Sequence, residues 1–149
     1  MSRQCLSRVT ATVVLSLVMG AASAVDNPTN LAGAIVVSAE QARELQAKGV
    51  IVVDARSAAE YAEAHIDGAI NVPYKEKSAK APDFDAAQDA VDLTKLPSDK
   101  SAGFVTYCNG HDCWKSYKLS TVAIKAGHSK VYWLRDGLPG WKAKGFPIK

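Results

Sequence analysis

Short apolar runs alternate with amphipathic stretches along most of the chain. "AIVVS" ends in Ser38, and Ser38 with Gln41 three positions on forms a capping box. Ala42, Leu45 and Ala47 then read as a short helix stopped by Gly49. "VIVVDAR" is continuous and β-branched, the pattern of a strand buried on both faces, and it stops at Asp54. Ser57 caps a second short helix running through Ala64, and "AINVPY" is a further strand ended by Pro73. "GFVTYC" is the next strand, followed by a helical stretch from Trp114 to Ala126 with Gly127 as its stop. "KVYWL" is the last strand, followed by Gly137, Pro139 and a terminal turn around Trp141.

Strands alternating with helices predict an α/β fold with a central, mainly parallel sheet covered on both faces. Ligand sites in such sheets lie beyond the carboxyl ends of the strands. Asp54 and Cys108 both stand at such ends. The segment Lys75–Ser101 is charged and alanine-rich, with Phe84, Val91, Leu93 and Leu96 as its few apolar anchors. It reads either as a cover carrying a short helix over the site or as a mobile excursion.

The first 24 residues have a different character. Arg3 and Arg8 precede a largely apolar run from Val9 to Met19, and Ala22-Ser23-Ala24 fits small-x-small cleavage. This is the pattern of a secretory signal peptide cut after Ala24. The run is shorter than the roughly 20 apolar residues a membrane anchor needs, and Thr10, Thr12, Ser16 and Gly20 break it. Residues 1–24 are therefore expected to be a leader, 25–33 a polar linker and 34–149 one domain, exported and, in a bacterium, periplasmic. Formal net charge falls from +3 to +1 with the leader removed, because it holds two arginines and no acids. So mild a charge gives no footprint for nucleic acid or an anionic membrane surface, and no membrane association is expected after cleavage.

Cleavage also removes Cys5, leaving Cys108 and Cys113 inside "TYCNGHDCWKSYK". An even pair in an oxidising compartment reads first as a disulfide. A second reading comes from position. Residues 108–113 link a strand to a helix, and the amides of such a turn, with the unpaired donors of the helix start, can converge on an anion. A sulfur heading that turn is expected to have a depressed pKa. The same donors can hold an oxyanion or the outer sulfur of a persulfide. Asn109, Gly110, His111, Asp112, Cys113, Trp114, Lys115 and Ser116 are thus candidate substrate-binding residues. Lys115 would add charge and Ser116 a hydroxyl, while Asp112 is expected to turn outward and cap the helix. No metal is expected, since Cys108, Cys113 and His111 leave no fourth ligand. The thioredoxin-type pair has two residues between its cysteines, and here there are four. A static disulfide and a nucleophilic Cys108 with Cys113 as a resolving thiol remain open on these grounds.

Longer motifs surround this loop. Asp54, Arg56, Glu60, Tyr61, His65, Ile66, Gly68, Ala69, Asn71 and Pro73 fall in the order of the N-terminal signature of rhodanese-like sulfurtransferase domains, with Ala64 in place of a glycine. "AGHSKVYWLRDGLPGWKAKGFPI" resembles the family's last strand, glycine turn and tryptophan helix. The resemblance covers Ile35 to Ile148 and implies the three-layer rhodanese-like fold. It also implies that Cys108 takes a sulfane sulfur from a small donor such as thiosulfate and passes it to a thiol or cyanide-like acceptor, without a cofactor. Typical loops of the family run Cys-x-x-Gly-x-Arg-Ser. Here a basic-Ser pair arrives two residues later as Lys115-Ser116, as in exported rhodanese-like proteins bearing a Cys-Trp pair.

Of the other matched residues, Arg56 and Glu60 are expected to pair with each other, and Asp54 to accept loop N–H groups. His65 is expected to be a packed, hydrogen-bonded histidine. His111, lying inside the loop, is the more plausible functional one. Trp114, Trp133 and Trp141 read as core or pocket wall. Two rival functions stand beside sulfur transfer. One is a non-catalytic sulfur-carrier, redox or structural module with a Cys108–Cys113 disulfide, serving an exported redox partner. The other is phosphatase or arsenate-type chemistry, for which the loop lacks the arginine fork that clamps phosphate.

Overall fold

The structure is a computed structural model that describes residues 25–149. The leader read in the sequence lies outside the described residues. Five strands form one sheet: β1 Ala34–Val36, β2 Ile51–Asp54, β3 Ile70–Asn71, β4 Phe104–Tyr107 and β5 Val131–Leu134. Their spatial order is β1-β5-β4-β2-β3, and every pairing is parallel. The helices are α1 Ala39–Ala47, α2 Ala58–Glu63, α3 Lys115–Lys125 and α4 Gly137–Ala143.

The central strand β4 is buried throughout, and its neighbours β2 and β5 are buried at all but one residue each, as their apolar runs require. Side chains alternate across the sheet, so each strand feeds two cores. Val53, Phe104, Val131 and Trp133 pack on one face with Leu119 and Ala123 of α3. Val52, Val105, Tyr107 and Leu134 pack on the other with Ala42 of α1 and Leu138 and Trp141 of α4. The result is the three-layer α/β arrangement that the strand and helix alternation predicts.

The capping box predicted at Ser38 forms, and the cap predicted at Ser57 is a full capping box as well. Ser38 accepts from the Gln41 amide, and Ser57 from the Glu60 amide, each with the reciprocal side-chain bond. The stretch around Trp141, read as a turn from its local pattern and as a helix from the family resemblance, is the helix α4.

Segment 75–101 has no α-helix, only 3-10 turns at Ala86–Gln88 and Leu93–Lys95. It is tied down by polar groups rather than apolar anchors alone. Asp89 accepts from the Tyr74 hydroxyl and from the amide and hydroxyl of Ser78. Lys118 of α3, fully buried, donates to the Ser78 carbonyl and hydroxyl and lies 2.9 Å from Glu76. A buried charge with this many partners fixes the segment against α3.

Candidate functional site

The parallel register sets Asp54 beside Tyr107, so the ends of β2 and β4 lie side by side. Cys108 follows Tyr107, and the loop 108–114 carries the chain into α3. Cys108 and Cys113 are joined by a disulfide, with their α-carbons 6.1 Å apart. Cys108 is 1% exposed, while Cys113 is half-buried. In this oxidised form Cys108 carries no thiolate.

The loop's polar groups are arranged differently from the expectation in several places. The Cys113 amide turns back onto the Gly110 carbonyl at 3.1 Å and does not face outward as an anion donor. Asp112 does not cap α3. The N-cap falls two residues later at Trp114, and among the described residues no side chain caps this helix. The first-turn amides therefore keep their donor capacity without an aspartate competing for it. Ser116 is turned into the core, where its hydroxyl accepts from the Trp133 indole at 3.0 Å. Lys115 stays near the surface, 3.8 Å from Glu60.

Arg56 and Glu60 do not pair directly. The Arg56 guanidinium is occupied by Asp54, contacting both carboxylate oxygens and closing to 2.6 Å, and it also donates to the Ala64 carbonyl. Its remaining nitrogen donates to the Asn109 side-chain oxygen at 3.3 Å, and the Asn109 amide nitrogen donates to Glu60 at 2.6 Å. Asn109 thus stands between the two residues. Asp54 accepts from the Arg56 amide, as a strand-end carboxylate can, and also from the Tyr107 hydroxyl at 2.6 Å. Beside Asp54, and buried, the Tyr107 phenol is pushed well above its ordinary range, so it acts as a fixed donor. Glu60 is held down at about 2: burial opposes its charge, but the hydroxyl and amide of Ser57, Asn109 and the Lys115 charge outweigh it.

His65 stacks on Tyr61 at 3.7 Å and bonds its carbonyl through Nδ1, a packed role. His111 projects from the loop and meets Asp136 at 2.6 Å, both side chains half exposed. Trp114, Trp133 and Trp141 are all buried.

Three further residues hold the loop, and the sequence predicts no such role for Asn27 or Arg135. Asn27, in the polar stretch read as a linker, is 2% exposed and clasps the loop from outside. Its backbone N–H donates to the His111 carbonyl at 2.7 Å, and its side chain to the Cys113 carbonyl at 2.9 Å. Arg135, just after β5, holds Asn27 in place through the latter's side-chain oxygen and carbonyl. Gly137, with φ 62°, lets α4 begin directly against the loop, and Leu138 donates to the Cys108 carbonyl at 2.9 Å. A Cβ at Gly137 would run into that carbonyl and the Gly110 amide. The hidden signal was spacing of long range: a polar Asn and an Arg separated by over a hundred residues carry no local pattern.

Beside the loop lies a cleft of about 340 Å³ lined by Arg56, Glu60, Asn109, Leu138 and Lys142, among others. It sits at the carboxyl ends of β2 and β4, where parallel sheets place their ligands. Its rim mixes two cations with carboxylates and suits a small polar solute.

A parallel five-stranded α/β sheet with a loop leading from its central strand into a helix is the arrangement of rhodanese-like domains. The model of the rhodanese-like domain matches residues 38–144, and the chain belongs to that family. An HTH-type transcriptional regulator of Mycobacterium tuberculosis is 32% identical over 113 residues, covering 76% of this chain and 43% of its own length. The chain thus spans under half of that relative. A chloroplastic thiosulfate sulfurtransferase of Arabidopsis thaliana is 29% identical over 117 residues, covering 76% of this chain and 91% of its own. Among solved structures, the rhodanese-like domain of an Anabaena protein superposes with a TM-score of 0.57 at 25% identity, over 76% of each chain.

Proposed function

We propose that the protein is a rhodanese-type sulfurtransferase, acting in an exported compartment, whose nucleophile is the reduced Cys108. The observation that carries this reading is the place of Cys108: it heads the loop between the end of a central parallel strand and an uncapped helix start. In reduced protein the Cys108 thiolate attacks the outer sulfur of a donor such as thiosulfate. The donor's S–S bond breaks, sulfite leaves with the electron pair, and a Cys108 persulfide remains. A thiol or cyanide-like acceptor then removes the sulfur. The name of the chloroplastic relative supports the substrate class, and the apolar leader supports export.

The test uses protein reduced and desalted without air, then incubated with thiosulfate while released sulfite is measured. The expected result is one equivalent of sulfite from the wild type and none from Cys108→Ser. No sulfite from the wild type would overturn the reading.

The disulfide itself favours a second reading, a redox or structural module with no transferase turnover. Thiol titration discriminates the two. A disulfide that a mild thiol opens, with sulfur uptake following, supports the enzyme. One that opens only on unfolding supports the module.

A further inference from the structure

The two sulfurs are not equivalent. Cys108 is sealed at the strand end, whereas Cys113 is half-buried nearer the surface. Their α-carbons lie within the span that allows a disulfide without backbone movement. The loop that joins them is held at both ends, by Asn27 on the Cys113 and His111 carbonyls and by Leu138 on the Cys108 carbonyl. A sulfur placed on Cys108 thus remains within reach of Cys113.

We propose that Cys113 resolves the Cys108 persulfide internally, so that the protein reduces sulfane sulfur to sulfide at the expense of an external dithiol. This rests on the sulfurtransferase reading above. The Cys113 sulfur attacks the inner sulfur of the persulfide, forming the Cys108–Cys113 bond and breaking the bond to the outer sulfur. That sulfur departs with the electron pair and takes the Cys113 proton, leaving as hydrosulfide. Sulfane sulfur is reduced and the two cysteines are oxidised to the disulfide seen here.

The cycle closes when a dithiol attacks the more accessible Cys113 sulfur and expels Cys108 as a thiolate. A second thiol of the reductant completes its own disulfide and frees Cys113. Over one cycle thiosulfate and a dithiol yield sulfite, sulfide and a disulfide. The partner this chemistry requires is an exported dithiol protein, with dithiothreitol as its stand-in.

The deciding experiment is a single turnover. Wild type and Cys113→Ser, each reduced, desalted and kept free of air and external thiol, receive excess thiosulfate. Sulfite, sulfide and intact mass are then followed. Wild type is expected to release sulfite and sulfide in equal amounts and to end two hydrogens lighter than the dithiol. Cys113→Ser is expected to release sulfite alone and keep the extra sulfur.

A wild type that holds a lasting persulfide and releases no sulfide overturns internal resolution while leaving sulfur transfer intact. Equal sulfide from both proteins overturns it as well. Absence of sulfite from both removes the sulfurtransferase reading and this proposal with it. The wild-type result decides the matter even if Cys113→Ser folds poorly.

Discussion

At the end of β2, Asp54 and Arg56 form a buried ion pair that Tyr107 closes with a hydroxyl bond, so the charges and the phenol are satisfied within the protein. One strand over, at the end of β4, the chain carries a cysteine pair in a loop held by its carbonyls, with the first amides of α3 left uncapped. The two ends share one register and one sheet, yet only the second keeps groups that can change bonding state. The first strand end is therefore a brace, and the second is the working part of the function proposed above. Asn109 joins them, taking a bond from Arg56 and giving one to Glu60.

Breaking the brace is expected to have the largest effect. Asp54→Ala strands the Arg56 guanidinium, 4% exposed, without its counter-charge. Removing one partner of a buried pair costs about 3–5 kcal/mol. Urea unfolding followed by circular dichroism should show the midpoint fall accordingly. A change near zero would mean that Arg56 swings to solvent and that the network braces nothing.

Opening the working part should cost less. The disulfide closes a short loop, and cross-linking so few residues stabilises by about 2 kcal/mol. Reduction of the wild type should lower the unfolding free energy by that amount, and Cys113→Ser should match the reduced protein with no further change on adding reductant. A loss as large as that of Asp54→Ala would give the disulfide a core structural role and weaken the contrast between the two strand ends.

The difference in legibility between the two ends has a physical origin. The strands, the Ser38 capping box and the Ser57 cap follow local rules, period, β-branching and a Ser just before a helical run, and these appear in the structure as the sequence predicts. The polar partners follow packing across the chain. Arg56 and Glu60 are expected to pair as two opposite charges in the segment after the strand. The guanidinium chose Asp54 because both are sealed under the sheet end, where a bidentate pair gains most. Asp112 was assigned a cap because aspartate favours that place, but two more loop residues move the N-cap to Trp114. Ser116 was given to the anion site, yet helical phase turns it toward Trp133. Asn27 could not be read at all, since its role depends on Arg135 and the loop arriving from distant parts of the chain.

Loosening the clasp sharpens the comparison on the working side. Asn27→Ala removes the side-chain bonds to Cys113 and to Arg135 but keeps the backbone bond to His111. With each net bond contributing about 0.5–1.5 kcal/mol, a loss of roughly 1–3 kcal/mol is expected. Dithiothreitol should reduce the disulfide faster in this variant, read by trapping free thiols over time. Loss of stability without faster reduction would make Asn27 a general anchor rather than a holder of the loop.

The smallest effect concerns Glu60, which reaches toward both sides. Its carboxyl is lowered from 4.5 to about 2: burial works against the charge, and the Ser57 bonds, the Asn109 amide and Lys115 outweigh it. A group whose folded pKa lies below its unfolded one binds fewer protons when folded. Its contribution to stability is whole above about pH 4.5 and is lost as pH falls toward 2. Glu60→Gln should therefore flatten part of the acid limb of stability in that window and change little at neutral pH, since the side chain is partly exposed and its ion pair with Lys115 is long. At Asp89 burial opposes the charge, but Ser78 and the Lys77 amide outweigh it and hold the carboxyl at about 2; it lies away from the loop and adds its own slope in the same window. Asp89→Asn is thus the control that separates the two contributions. If Glu60→Gln leaves the acid limb unchanged while Asp89→Asn removes it, the bond from Asn109 to Glu60 carries no energy, and the brace and the working loop fold as neighbours rather than as one connected unit.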